Sequence, residues 1–417
     1  MVRDALRIVR EVVPVVVVAV LVCHLIRTHL LEWYIVPSTS MAPTLHGDPD
    51  DGDLVLVDKT AYWFEEPERH EMVVLRNDED PPRGHLVKRF IARGSDDENV
   101  VRINEGDVFL GPNRQQLKRL VKHPLAADEL RHTHFVFPEI GRQRVAQYFR
   151  KSSSWSVESR ADGGKHVVLG AAAPTFTEAA AALRDAGRGA RRPGPPRHLS
   201  TRRPVDTTFL NDAGKRMGGS ESWYPDIGME FDVDVAGGCV GLQLVFEYRG
   251  SSFVFHYARD GAVRWLASDS SKEIARRGAP LQQGQTASIS FGYLDGRFFL
   301  IADGALLFHE ELALAKDPAA APAGRGPDNL LHLGAIGGEV RLRRVRVFHD
   351  VYYKALRSPF GSLPTPSMIE PDNLYLLGDN TFESRDSRSG RSFPRSDLVG
   401  RPLAVIGPLS RMRWLDQ

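Results

Sequence analysis

A mainly β fold behind one membrane-spanning helix is predicted for this chain of 417 residues, and three observations predict it. An apolar run, Val12 to Ile26, stands near the N-terminus. Short runs rich in valine, leucine and phenylalanine, bounded by glycine, aspartate and proline, recur through the remainder, which is how strands read. Tight-turn tripeptides such as Arg259-Asp260-Gly261 and Leu294-Asp295-Gly296 join several of them, as in antiparallel sheets.

As a helix, the run from Val12 to Ile26 covers roughly 22 Å, short of a hydrocarbon core of about 30 Å. Extension to Leu31 reaches the needed span. Arg27 and His29 then lie near enough to the end for their side chains to meet the interface, and Pro14 reads as part of the helix start. A cleaved secretory signal has the same charged start and apolar centre, but no small-x-small site comes after it; the next residues are Arg27-Thr28-His29-Leu30-Leu31. Residues 1–31 are therefore expected to be a retained, single-pass anchor. Arg3, Arg7 and Arg10 ahead of it predict a cytoplasmic N-terminus and a remainder on the outer face.

Composition divides the chain beyond the anchor. Residues 32–168 contain the strand-like runs Asp53 to Val57, Glu71 to Leu75 and His85 to Ala92 and read as a first core segment, with a mixed pattern after Gln115. Residues 169–205 are alanine-rich and then dominated by glycine, proline and arginine, a composition that buries too little surface to order itself and reads as a solvated linker. Residues 206–350 carry many short runs closed by Asp-Gly or Gly-Gly, which predicts an antiparallel, jelly-roll-like β-sandwich. The core resumes over 351–417.

The overall balance excludes some functions. The 54 basic and 53 acidic residues nearly cancel, which gives no basis for nucleic-acid binding. Cys23 lies in the apolar run and Cys239 deep in the chain, so a mutual disulfide is not expected and a zinc site with cysteine ligands is excluded.

Three distant runs carry chemistry only when taken together: Val36-Pro37-Ser38-Thr39-Ser40-Met41-Ala42-Pro43-Thr44-Leu45, Val87-Lys88-Arg89, and Gly378-Asp379-Asn380 leading to Ser384-Arg385-Asp386-Ser387-Arg388. A serine hydroxyl is a poor nucleophile until a base takes its proton, and lysine is that base only when burial or neighbours lower its pKa. Singly, Ser40 reads as a turn serine between two prolines, Lys88 as a strand-edge lysine, and the last run as a polar loop. In this order, behind an anchor, they read as a nucleophile, its base and a supporting segment.

These residues resemble the bacterial type I signal peptidases, membrane-anchored serine proteases with a Ser-Lys dyad. The likeness covers Tyr34 to Lys59, Leu86 to Ala92 and Leu374 to about Ala404. It implies a signal-peptidase-type β catalytic core, Ser40 as nucleophile, Lys88 as general base, and an oxyanion hole made by the Ser38 hydroxyl and the Ser40 amide. It further implies that Ser384 orients the lysine, that Asp379, Asp386 and Arg388 support the site, and that Tyr34, Val36 and Val87 line shallow substrate pockets. The implied partners are signal-peptide-bearing secretory precursors and the lipid bilayer of a bacterial inner membrane; no metal or organic cofactor is required. Thr39 stands where glycine is common, Thr381 replaces a frequent arginine, and Arg93-Gly94-Ser95-Asp96 lacks the usual proline.

That family does not predict residues 206–350. The sandwich resembles concanavalin-like or laminin-G-like jelly rolls, and Trp223, Tyr224 and Trp265 offer rings that could stack on a glycan, although core packing is the commoner fate of such residues. An anchored, non-catalytic binding protein working through the sandwich is the alternative, and the presence of both Ser40 and Lys88 argues against it. A self-cleaving Ser-Lys repressor would carry a DNA-binding domain at its N-terminus, where this chain has an anchor.

Overall fold

The computed structural model describes residues 2–415 apart from 78–83, 139–144, 160–162, 182–198, 202–207, 211–215, 219–224, 249–250, 268–273, 312–328, 356–365 and single residues 96, 105, 127, 151 and 180. Most of the expected linker, together with Trp223 and Tyr224, falls outside the described residues. The chain forms two compact units: unit 1 comprises 1–102, 109–118 and 355–417, and unit 2 comprises 103–108 and 119–354.

Unit 1 begins with α1 (Val2–Leu25), which continues as a wider helical turn over Ile26–Leu30. Residues Val12–Leu30 average 2.0 in hydropathy over 19 residues and bury nothing. Such a stretch rises about 28 Å, long enough and apolar enough to cross a bilayer. Pro14 lies inside this helix rather than at its start, because the helix already runs from Val2.

The helix leads into a sheet of short antiparallel strands. Its first members are β1 (Leu31–Ile35), β2 (Leu54–Asp58), β3 (Met72–Arg76) and β4 (His85–Arg93). The order across the sheet is β1, β2, Leu398–Gly407, β3, β4, Asn373–Leu377 and Phe393–Pro394. β3 shows why its sequence is apolar throughout. Alternate residues of a strand face opposite ways, so Met72 and Val74 enter one core with Val36, Met41 and Leu45, while Val73 and Leu75 enter another with Phe90, Leu374 and Leu376. Each such side chain contributes about 1.5–3 kcal/mol when taken fully from water.

Two registers set the site. β3 pairs with β4 so that Val73 lies opposite Lys88 and Met72 opposite Arg89. On the other edge of β4, Asn373–Leu377 pairs with residues 89 to 93, ending with Leu377 opposite Arg89. The next residue in the chain is Gly378, so strand pairing alone delivers the third run to the lysine.

Unit 2 is a β-sandwich. One sheet runs Ala305–Glu311, Arg297–Ala302, Thr286–Leu294, Ile227–Val235, Val340–Asp350, Lys165–Leu169 and Trp155–Ser159, with Arg131–Phe137 also on Val340–Asp350. The other runs Leu199–Ser200, Asn329–Ile336, Gly241–Tyr248, Ser251–Ala258, Ala262–Ala267 and Ile274–Arg277. Phe231, Phe291 and Phe298 of the first sheet share one core with Phe246, Phe253, Phe255 and Trp265 of the second. The turn at Asp295-Gly296 has φ of 46° and 83°, the left-handed pair that a tight hairpin needs and that glycine adopts without strain.

Three sequence expectations change here. Arg131–Phe137 and Lys165–Leu169, which read in sequence as part of the first core segment and the linker edge, are strands of the sandwich, because both hydrogen-bond to Val340–Asp350 and bury Phe135, Phe137 and Val167. Leu199–Ser200, which reads as linker, pairs with Asn329–Ile336. Trp265 is 1% exposed, packed among Phe255, Phe298 and Phe308, and has no face open to a sugar.

Candidate active site

Ser40 sits in a single helical turn, Thr39–Met41, that comes after an extended Ser38. Gly47 packs against this bend so tightly that a β-carbon there would lie 1.7 Å from the Ser38 carbonyl oxygen, so only glycine fits. Lys88 and Arg89 are neighbours on β4, and both are buried. Pointing to opposite faces, they meet different partners.

The Lys88 Nζ donates to Ser40 Oγ at 2.7 Å and to the Val87 carbonyl at 3.0 Å. Burial pushes the lysine down to about 8, a fall that the Asp386 and Asp379 carboxylates partly offset. The Ser38 hydroxyl donates to Ser40 Oγ at 3.3 Å, so it points at the same oxygen as the amine. Serine oxygen, amine and second hydroxyl thus converge at one place.

Arg89 holds the opposite face. Its Nε donates to Asp379 Oδ1 at 2.8 Å and its Nη2 to Oδ2 at 2.9 Å, while Nη1 donates to the His70 carbonyl at 2.9 Å. Thr44 adds its hydroxyl to the same carboxylate at 2.5 Å. With side chains 3% and 0% exposed, this fork-shaped pair locks all three sequence runs into one body.

The last run folds around its own carboxylate. Asp386 accepts from the Gly378 amide at 3.0 Å and from Arg388 Nε and Nη2 at 2.8 and 2.7 Å. Arg388 in turn donates to the hydroxyl of Thr381, the residue that departs from the family's arginine. Among the described residues Ser384 Oγ is buried with no hydrogen-bond partner; the amine of Lys88 is directed at Ser40 and Val87 instead. Gly378 brings this segment close, since a β-carbon there would meet Ser384 Oγ at 2.2 Å and the Ser40 carbonyl oxygen at 2.6 Å.

A small cleft of about 30 Å³ opens over Ser40 and Lys88, and its walls include Tyr34, Val36 and Val87. That volume admits about two water-sized groups. His85, at the start of β4, also lines it and stacks on the Tyr34 ring at 3.9 Å between centroids. Sequence reasoning assigns no role to Arg89, Thr44, Asn380 or Glu383. The first three stand inside the runs it singles out, whereas Glu383 lies between Asn380 and Ser384 and its contact exists only in the fold.

Among the described residues, one acidic group has metal-ligand spacing. Asp107, Asp226 and Asp295 bring carboxylate oxygens within 4.8 Å of one another, in unit 2. Arg119 pairs with Asp107 at 3.0 Å and Lys122 with Asp295 at 2.7 Å, so cationic side chains already meet two of the three.

Residues 9–159 match the family described as signal peptidase, peptidase S26. That stretch contains Ser38, Ser40 and Lys88 and stops short of the Gly378 run. Signal peptidase I of Bacillus licheniformis is 35% identical over 113 residues, 25% of this chain and 58% of that protein. Signal peptidase I of Mycobacterium tuberculosis (strain ATCC 25618 / H37Rv) is 38% identical over 83 residues, 20% and 27% of the two chains. The chloroplastic thylakoidal processing peptidase 1 of Arabidopsis thaliana is 35% identical over 101 residues, 22% and 28%. The chain spans little more than half the length of the Bacillus relatives it matches. Among solved structures, the galectin LEC-6 of Caenorhabditis elegans aligns with 37% of this chain and 93% of its own, at 14% identity and a TM-score of 0.25, too slight a likeness to argue from.

Proposed function

We propose that the chain is a membrane-bound serine endopeptidase that removes signal peptides from secretory precursors through a Ser40–Lys88 dyad. The observation that carries this reading is the 2.7 Å contact between a buried amine of lowered pKa and a serine hydroxyl at the floor of a small cleft. Burial favours the neutral amine, and the same contact then runs in reverse, with Lys88 accepting the Ser40 proton.

The reaction derives from this geometry. Ser40 Oγ attacks the carbonyl carbon before the scissile bond as its proton passes to Lys88 Nζ. The resulting oxyanion takes hydrogen bonds from the Ser38 hydroxyl and the Ser40 amide. Lys88 then gives its proton to the leaving amine, and it later activates the water that hydrolyses the acyl-enzyme.

Two further features support a peptide substrate with small side chains. The cleft holds little more than a methyl-sized group beside Ser40, which suits a signal peptide ending in small residues. Among the described residues, 85 to 88 of β4 pair with β3 alone, since Asn373–Leu377 begins its pairing at Arg89, and this edge could take an extended peptide as an added strand.

The apolar helix fits a membrane-anchored protein, with the N-terminus in the cytoplasm and unit 1 on the outer face of a bacterial inner membrane. Trp33, just beyond that helix, is half exposed with the Arg27 guanidinium over its ring at 5.3 Å, a pairing suited to the headgroup layer.

Detergent-solubilised full chain, incubated with a precursor whose signal peptide ends in Ala-x-Ala, should release the mature protein. Ser40→Ala and Lys88→Ala should each lose roughly 10³-fold or more in rate. Processing that persists in either variant would overturn the dyad.

A further inference from the structure

The turn at 380–384 grips the backbone of the nucleophile. A single helical turn has little stability of its own, so the direction of the Ser40 side chain depends on what clamps the chain on either side of it. The clamp is a set of hydrogen bonds from residues more than 300 positions away in sequence. The Asn380 amide N–H donates to the Ser40 carbonyl at 3.0 Å. The Asn380 side chain donates to the Thr39 carbonyl at 3.1 Å and to a Glu383 carboxylate oxygen at 3.1 Å. That same oxygen accepts the Thr39 hydroxyl at 2.5 Å, across 344 residues.

We infer that Glu383 is a positioning residue for Ser40, acting through Thr39 as a tether that holds the nucleophile loop against the 380–384 turn. This role rests on the peptidase reading and adds a residue to it.

Thr39 occupies the place where the resembled family commonly has glycine, and glycine offers neither a hydroxyl nor restraint on the backbone. A β-branched threonine is stiff at χ1 and, once its hydroxyl is bound, fixes the peptide next to Ser40. One Glu383 oxygen also collects donors from both sides of the contact, and a carboxylate makes the stronger, charge-assisted kind of hydrogen bond. Glu383 is exposed, moreover, so its removal strands no charge in the interior, and the buried Asn380 amide that loses this acceptor keeps its bond to the Thr39 carbonyl. It meets neither Ser40 Oγ nor Lys88 Nζ through any hydrogen bond among the described residues, and its effect has to pass through Thr39 and Asn380.

The test compares wild type with Glu383→Ala, Glu383→Gln, Thr39→Ala, Thr39→Ser and the double variant Thr39→Ala/Glu383→Ala. On a soluble Ala-x-Ala peptide, Glu383→Ala should lower kcat about tenfold with KM within about twofold, the scale of one charge-assisted hydrogen bond. Glu383→Gln and Thr39→Ser keep the acceptor and the hydroxyl and should restore most of that rate. The double variant should be no slower than Glu383→Ala alone, because both changes remove one contact. Without substrate, amide exchange over residues 38–42 should quicken in Glu383→Ala while the melting temperature stays within about 2 °C.

Unchanged kcat with unchanged exchange, strictly additive single effects, or a loss confined to KM or melting temperature would each overturn the tether. If wild-type protein cleaves no precursor or peptide, the peptidase reading falls by itself. The exchange measurement then still decides for or against the tether.

Discussion

An ammonium group taken out of water favours losing its proton, and Lys88 shows the functional side of that tendency. Burial holds it near 8, so at neutral pH a minority of molecules carry the free amine that the proposed mechanism needs. Processing should therefore rise roughly tenfold per pH unit below 8 and level off above it, when kcat/KM is followed from pH 6 to 10. A plateau that begins well below 7 would assign the limb to another group. The stability effect has its own sign. The folded value lies below the ordinary 10.5 of an exposed lysine, so the folded state binds this proton less well than the unfolded chain does. Stability is thus reduced below pH 8 and recovers as pH rises toward 10.5. Ser40 and Lys88 are legible in sequence because each stands in a short run of distinctive neighbours. Thr39 and Glu383 are not, since a hydroxyl and a carboxylate separated by 344 residues become partners only after the strands have paired.

At the level of elements, the pairing of Asn373–Leu377 with β4 does more than close a sheet. It ends opposite Arg89 and puts Asp379 within reach of the guanidinium, which makes a buried ion pair the hinge between strand register and active site. Arg89→Met leaves Asp379 as an uncompensated buried carboxylate and should cost about 3–5 kcal/mol in urea unfolding. Arg89→Lys keeps the charge but loses the two-pronged geometry, and should recover only part of that. A loss below about 1 kcal/mol for Arg89→Met would show that the pair contributes little to holding the sheet edge. The legible elements are short valine- and leucine-rich runs bounded by Gly, Asp or Pro, such as Leu54–Asp58, and those bounded by Asp-Gly turns. Arg131–Phe137 is not among them. It reads Arg-His-Thr-His-Phe-Val-Phe, and both of its faces are largely buried, with His132 and His134 inside. A strand covered on both sides loses the alternation by which a sequence announces it.

On the scale of the whole molecule, the sandwich carries its own charge problem. Asp107, Asp226, Asp295 and Asp350 gather around Lys122 and Arg119. Burial, with neighbouring carboxylates, raises Asp107 to about 6, Asp350 to about 7 and Asp226 well above the usual carboxylate range. Burial also works against the charge of Lys122, but Asp295 and Asp350 outweigh it and raise its pKa well above the ordinary value. Carboxylates that hold protons more tightly when folded stabilise the fold at low pH and lose that contribution as pH rises from about 4 to 7. Thermal melts should accordingly run higher at pH 5 than at pH 8, and Asp226→Asn should narrow the gap by raising the value at pH 8. A gap unchanged in Asp226→Asn would place the pH dependence elsewhere. The division of the chain itself is partly legible, because the sandwich differs in texture from the segments around it. Its true extent is not, because strands from 131–137 and 165–169 precede the linker and join it only by long-range pairing. The separation of Arg89 from Asp379 by 290 residues has a last consequence, which concerns time. At about 5–20 residues per second, synthesis alone places roughly 15–60 s between the appearance of the two partners. A growing chain that already displays Ser40 and Lys88 still lacks the segment that locks them in register, so the proposed Ser-Lys centre is incomplete until residues beyond Asp379 have been made.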